Sequence, residues 1–197
     1  MPINAVFAQH ISQEAIAGIV GQDAVVSLNA LIDLSSAQLV IPETEHDTHA
    51  FLTETLSTDF TSVELHESRM GFHFVEVTLN NQPARLIIDS GAPQVMLDKS
   101  ELERMALKTE QHDTAKMVLN DGTKVAIDVL HDTSIAIGDT IIEGELMASD
   151  LSGLMTAINE KAETRIIGVI GNQQLVKLKS IIDLSQSTLH LSSPYSR

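Results

Sequence analysis

Apolar and polar positions alternate along much of the chain, most sharply after residue 70. FHFVEVTL (72–79) is rich in β-formers, Asn80 and Asn81 make a turn, and ARLIID (84–89) returns, which together predict a hairpin. MVL and TKVAIDVL flank Asn120-Asp121-Gly122, and TSIAI and TIIEGELMA flank Gly138-Asp139, two further hairpin signals. RIIGVIG (165–171) reads as an apolar strand, NQQLVKLK as a short helix and SIIDLSQSTLHL (180–191) as a closing hairpin. Ser100 and Glu103 have the spacing of a capping box, and Leu102, Met105 and Ala106 in ELERMALK share one helical face. Residues 149–163 read as loop or short helix. Many short strands with two minor helices predict an all-β, barrel-like fold.

The closing pattern occurs twice. Residues 18–42, GIVGQDAVVSLNALIDLSSAQLVIP, match residues 168–194, GVIGNQQLVKLKSIIDLSQSTLHLSSP, at a constant offset of 150. Gly18/Gly168, Gly21/Gly171, Val26/Val176, Leu28/Leu178, Ile32/Ile182, Asp33/Asp183, Leu34/Leu184, Ser35/Ser185 and Leu39/Leu189 are identical without a gap. The second copy closes a long unit and the first has little before it. The expected organisation is therefore a partial first-lobe repeat over residues 1–45, an acidic linker over 46–65 and one complete lobe over 66–197. Within the linker, His46 and His49 lack a third ligand and read as solvated. Asp33 and Asp183 read as strand-end or turn residues, and His73, His131 and His190 as hydrogen-bonded or exposed strand residues.

Composition narrows the function classes. Apolar residues make up 43% of the chain, enough for a packed core, and aromatic residues only 3%, so Leu, Ile, Val and Ala must fill it. A net charge of −15 argues against nucleic acid and anionic lipid as partners. No apolar run approaches the length of a membrane span, and MPINAVFAQH lacks the basic and apolar regions of a secretory signal. A soluble protein is expected; the absence of cysteine excludes disulfides and thiolate chemistry and leaves cytoplasm and periplasm equally open.

One stretch carries candidate chemistry. In LIIDSGAPQVMLD (86–98), Leu86, Ile87 and Ile88 run into Asp89, which implies a partly buried carboxylate at a strand end. Ser90 sets a hydroxyl beside it, and Gly91 permits a sharp turn or a close backbone approach. There is no G-x-S-x-G nucleophile elbow and no phosphate-loop spacing.

Asp89-Ser90-Gly91-Ala92 resembles the D-[TS]-G-A motif of retropepsin-like aspartic proteases, and the likeness runs through residues 70–193. VEVTLNNQPARLIIDSGA resembles the opening hairpin that leads into the catalytic Asp. MVLNDGTKV resembles the flap hairpin, with Asn120, Asp121, Gly122 and Thr123 as its tip. Val169-Ile170-Gly171 resembles the element packed behind the catalytic loop, and LVKLKSIIDLSQSTLHL the closing helix and strands of bacterial members. Pro93-Gln94 departs from the small hydroxyl residues common there. The resemblance implies an acid-protease barrel with short helices and peptide-bond hydrolysis by an endopeptidase without a metal or cofactor. It implies catalysis by Asp89, a loop shaped by Ser90, Gly91 and Ala92, and a polypeptide substrate held under the flap.

Such chemistry uses two carboxylates sharing one proton, because two adjacent like charges cannot both ionise. This chain holds a single D-[TS]-G. The second Asp is expected from a homodimer, from a missing upstream lobe, or from a dimer whose interface includes the first-lobe remnant. A second functional reading is an inactive peptide-binding or assembly module on the protease fold.

Overall fold

A computed structural model describes residues 20–57, 60–118, 124–142, 146–160 and 164–192. A first, short unit comprises helix α1 (Gln22–Ser27) and strands β1 (Leu31–Asp33) and β2 (Gln38–Val40), followed by helix α2 (Glu45–Leu56). Strands β3 (Thr61–Glu64) and β4 (His66–Glu67) lead to the long hairpin β5 (His73–Leu79) and β6 (Gln82–Asp89). Asn80 and Asn81 both take positive φ, 48° and 63°, as a two-residue hairpin turn requires.

Strand β7 (Met96–Asp98) runs into helix α3 (Lys99–Arg104). Then come β8 (Glu110–Val118), β9 (Lys124–Leu130), β10 (Ile135–Ile137), β11 (Thr140–Ile142) and β12 (Leu146–Ser149). Helix α4 (Ser152–Ile158), strand β13 (Ile166–Gly171), helix α5 (Asn172–Lys177), β14 (Ile181–Asp183) and β15 (Thr188–Leu191) complete the order.

The strands form two sheets. The larger follows the path β11-β10-β5-β6-β13-β7-β12-β9-β8, with β4 added beside β5. Residues from both ends of this path, among them Ile135, Ile142, Leu130 and Leu146, share one core with Val75, Leu86, Leu97 and Ile170. The sheet therefore folds over on itself, as expected of a barrel-like, mostly β lobe. Among the described residues its hydrogen-bond ladder does not close, since β11 and β8 remain its ends. On the opposite face Phe74, Ile87, Met96, Ile166 and Val169 pack with Met155 of α4. Strand β13 serves both faces and is buried at every position, which explains its unbroken apolar sequence.

The smaller sheet has the order β2-β1-β14-β15-β3 and contains the closing hairpins of both copies of the repeat. The copies share a backbone as well as a sequence. Positive φ recurs at Asn29 and Lys179 and again at Ala37 and Ser187, each pair related by the repeat offset. Strands β1 and β14 pair antiparallel with Leu31 opposite Asp183, Ile32 opposite Ile182 and Asp33 opposite Ile181. Exchanging the copies leaves this register unchanged, so a local two-fold axis passes between Ile32 and Ile182. Asp33 and Asp183 are turn residues, as their sequence context suggests. Asp33 accepts hydrogen bonds from Ser35 and Ser36, and Asp183 from Ser185 and Gln186. Burial draws the Asp33 carboxyl upward, but the Ser36 and Ser35 bonds outweigh it and hold the group below its ordinary value.

Two local expectations change. The acidic stretch expected as linker holds the 12-residue helix α2. Thr44 and Asp47 cap it reciprocally, and Leu52 and Leu56, one turn apart, are buried against Leu31 and Ile181. Most of its other residues are polar, which hides the helix in the sequence. The helix expected behind Ser100 instead starts earlier. Asp98 is its cap and accepts from Glu101 N at 3.1 Å, while the Ser100 hydroxyl donates to the same carboxylate.

Strand β15 contains a buried histidine. His190 Nδ1 lies 2.8 Å from Ser62 Oγ across the β15–β3 pair, and the ring meets Phe60 edge-on at 5.6 Å. Burial pulls its pKa below the ordinary value, with Asp183 opposing more weakly. An unfolded chain takes up a proton near pH 6.5 that the folded one refuses until lower pH. Stability should therefore fall as pH drops below about 6.5, by up to about 1.4 kcal/mol per pH unit from this group. Urea unfolding from pH 5 to 7.5 should show that slope in the parent chain and a shallower one in His190→Gln.

Candidate active site

Asp89 ends β6, and β6 is fixed by neighbours on both sides. Strand β5 pairs antiparallel with it and β13 pairs parallel, with Ile170 opposite Ile88 and Gly171 opposite Asp89. Leu86 and Ile87 are buried, while Ile88 and Asp89 are half-buried and Ser90 and Gly91 exposed. The carboxylate is thus delivered from the core to the surface, as the sequence implied. Its Oδ1 accepts from Gly91 N at 2.9 Å and Ala92 N at 3.2 Å, and Ala92 N also reaches the Asp89 carbonyl at 3.1 Å. The loop folds around the carboxylate and fixes one oxygen. Oδ2 has no hydrogen-bond partner among the described residues.

Space is tight at Gly91. A Cβ built on it would lie 3.1 Å from Asp89 Oδ1. Larger side chains would push against the oxygen that the same residue's N–H holds.

The loop is anchored from behind by the start of α5. Asn172 N donates to the Ala92 carbonyl at 2.8 Å and Gln173 N to the Pro93 carbonyl at 3.0 Å. Buried Gln174 accepts from Val95 N at 3.1 Å through Oε1. Gln174 was not legible as a site residue, since nothing but a polar residue at a buried helical position marks it. Pro93, the departure from the family pattern, keeps a role through its carbonyl.

Val169, Ile170 and Gly171 lie on β13, beside the strand that ends at Asp89. β13 passes between β6 and β7, with Gly168 opposite Leu97 and Val169 opposite Met96. A Cβ on Gly171 would lie 2.5 Å from the Gln94 carbonyl oxygen and 2.7 Å from that of Ala92, and one on Gly168 would lie 2.8 Å from Leu97 Cα. All of these obstacles are backbone, which cannot swing aside as a side-chain tip can. Gly171→Ala should therefore displace residues 92–94 and lower the melting temperature, as a thermal scan would show. Gly153→Ala is the control, because nothing lies near its Cβ position.

The hairpin arms expected to carry a flap are present. β8 and β9 pair antiparallel, ending with Val118 opposite Lys124. The expected tip, Asn120, Asp121, Gly122 and Thr123, lies outside the described residues.

A second buried polar group steadies the lobe nearby. Glu101 of α3 is buried, and Arg165, just before β13, contacts it through Nε at 2.5 Å and a terminal nitrogen at 2.6 Å. Hydrogen bonding to Glu101 raises the Arg165 pKa, against the pull of burial. The partners lie far apart in sequence, so no local pattern announces them.

The family described as aspartyl protease matches residues 75–173, just over half of the chain. Comparison with curated proteins returned no match. Among solved structures, a retropepsin-like aspartic protease from Rickettsia conorii is similar at 18% identity, covering 68% of this chain and 90% of that one, with a TM-score of 0.41. EIAV protease in complex with an inhibitor is similar at 13% identity, covering 57% and 93%, with a TM-score of 0.40. The retroviral protease-like domain of Ddi1 from Leishmania major is similar at 19% identity, covering 62% and 89%, with a TM-score of 0.43. The family match spans β5 to the start of α5 and includes Asp89, its loop and β13, and on it this chain belongs to the aspartyl protease family.

Proposed function

We propose that the chain supplies one carboxylate of an aspartic endopeptidase, with Asp89 as its catalytic residue. The observation that carries the reading is the Asp89 loop. A buried strand brings the carboxylate to the surface, two backbone N–H groups hold Oδ1, and Oδ2 is left without a partner among the described residues. In this reading Asp89 and a second Asp share one proton around a water molecule. The ionised member takes a proton from the water as its oxygen attacks the scissile carbonyl carbon. The protonated member donates to the carbonyl oxygen, and collapse breaks the C–N bond as the nitrogen takes up a proton. The pair would titrate as a unit.

Ser90, Gly91 and Ala92 shape the loop, and Val169, Ile170 and Gly171 support it. Asn120 to Thr123 would close over an extended polypeptide held by backbone hydrogen bonds. In this reading the hydroxyl of Ser90, which is exposed, would bond the backbone of a second such loop.

The single D-[TS]-G and Pro93-Gln94 favour a second reading, a catalytically inactive peptide-binding module. Cleavage of casein across pH 3 to 7, with the molar mass measured in the same buffers, separates the two. Cleavage that disappears in Asp89→Ala supports the endopeptidase. A monomer without activity assigns the other carboxylate to another lobe, and an inactive but well-formed dimer leaves the binding module.

A further inference from the structure

The two copies of the repeat share a backbone but not an environment. In the second copy Ile170, Leu189 and Leu191 are fully buried in the lobe's core. Their equivalents at the offset of 150 are Val20, 64% exposed, Leu39, 44% exposed, and Ile41, 54% exposed. Val26 and Leu28 are also exposed, although Val176 and Leu178 are not. By contrast the residues that face the local two-fold axis are buried in both copies: Leu31 and Ile181, Ala30 and Ser180, Asp33 and Asp183. The first copy is therefore packed where it meets the second and bare where the second copy meets its lobe.

The sheet edge repeats the asymmetry. The outer edge of β15 carries β3, with Leu189 opposite Val63 and His190 opposite Ser62. The equivalent outer edge of β2 ends the sheet among the described residues.

We propose that this apolar face and the β2 edge are the seat of a second lobe of the same fold. That lobe lacks a closing segment of its own and is related to residues 60–192 by the two-fold axis between Ile32 and Ile182. It would bury Val20, Leu39 and Ile41 in its core and add a sixth strand, the counterpart of β3, beside β2. A second copy of this chain does not fit. Its lobe already holds its own closing segment, and the β14 edge that a second closing hairpin would need is occupied by β1. A lobe of the same fold in that seat would bring a D-[TS]-G loop of its own. In that respect the inference rests on the proteolytic reading; as a docking surface it stands without it.

The test is a tandem chain in which residues 60–165 are repeated immediately ahead of residue 16, the position equivalent to Ile166. Amide hydrogen exchange is compared with that of the parent chain, and casein cleavage is measured in both. The expected result is an upstream lobe protected across its β5–β6 hairpin, at least ten-fold slower exchange across β2, and a monomeric mass. Leu39→Asp should leave the parent's melting temperature nearly unchanged, because the side chain is exposed there, and should abolish the upstream lobe's protection in the tandem. An upstream lobe that stays unprotected, or one that folds while β2 exchanges as in the parent, overturns the proposal. So does a parent chain that dimerises and protects β2 on its own, which gives the face to a second copy. A protected β2 without cleavage leaves the docking in place and removes the proteolytic reading instead.

Discussion

Under the proposed endopeptidase function, Asp89→Asn should lower kcat on the order of 10^3-fold while leaving the melting temperature close to the parent's, a loss in the range of general acid–base catalysis. The amide keeps an oxygen to accept from Gly91 N and Ala92 N, so the loop retains both of its internal bonds. It cannot share a proton with a second carboxylate, so the base is lost. Thermal melting and steady-state cleavage of one unfolded substrate, measured on the same preparations, check both halves. An unfolded variant would show that the carboxylate holds the loop together, and retained activity would end the assignment of Asp89.

The largest stability effect is expected at Arg165→Ala. Removing the guanidinium strands the Glu101 carboxylate, whose side chain is only 3% exposed. Breaking a buried pair in this way costs several kcal/mol, here about 3 kcal/mol because Arg165 itself is partly open to water. Urea unfolding should show the loss at neutral pH, and Glu101→Gln added to Arg165→Ala should recover part of it by removing the stranded charge. A double variant no better than Arg165→Ala would mean that the loss comes from the packing of the arginine stem.

Legibility in the sequence followed the range of the interactions. Asn80-Asn81 and Gly138-Asp139 mark their hairpins because the turn conformation is set locally. The strand end and turn at Asp89 are legible because the apolar run before it and the Ser-Gly after it are contiguous. The repeat showed because glycines, Asp33 and Asp183, and the apolar positions all keep register. What it does in space, pairing the two copies about Ile32 and Ile182, is a tertiary fact with no local trace. Helix α2 escaped because its buried face is narrow, with Leu52 and Leu56 buried and Phe51 half-buried beside them. Ser100 and Glu103 misled because Asp98, just ahead of them, offers a better-placed acceptor. Gln174 and the Arg165–Glu101 pair act between segments distant in sequence and leave no periodicity to find.

The placement of β13 has a consequence for biosynthesis. Asp89 is oriented by a parallel neighbour and by helix contacts from positions 171–174, far downstream in the chain. Closing so long a loop is among the later and slower steps in forming a domain, and a nascent chain emerges from its N-terminal end. Until β13 and the start of α5 have left the ribosome, the acid has neither the strand that aligns it nor the amides that anchor Ala92 and Pro93. Strand β5 and the loop's own N–H groups can form as soon as residues 73–92 emerge, but the alignment of the Asp89 loop waits for a strand and a helix made much later, so its geometry is completed well after the residue itself is synthesised.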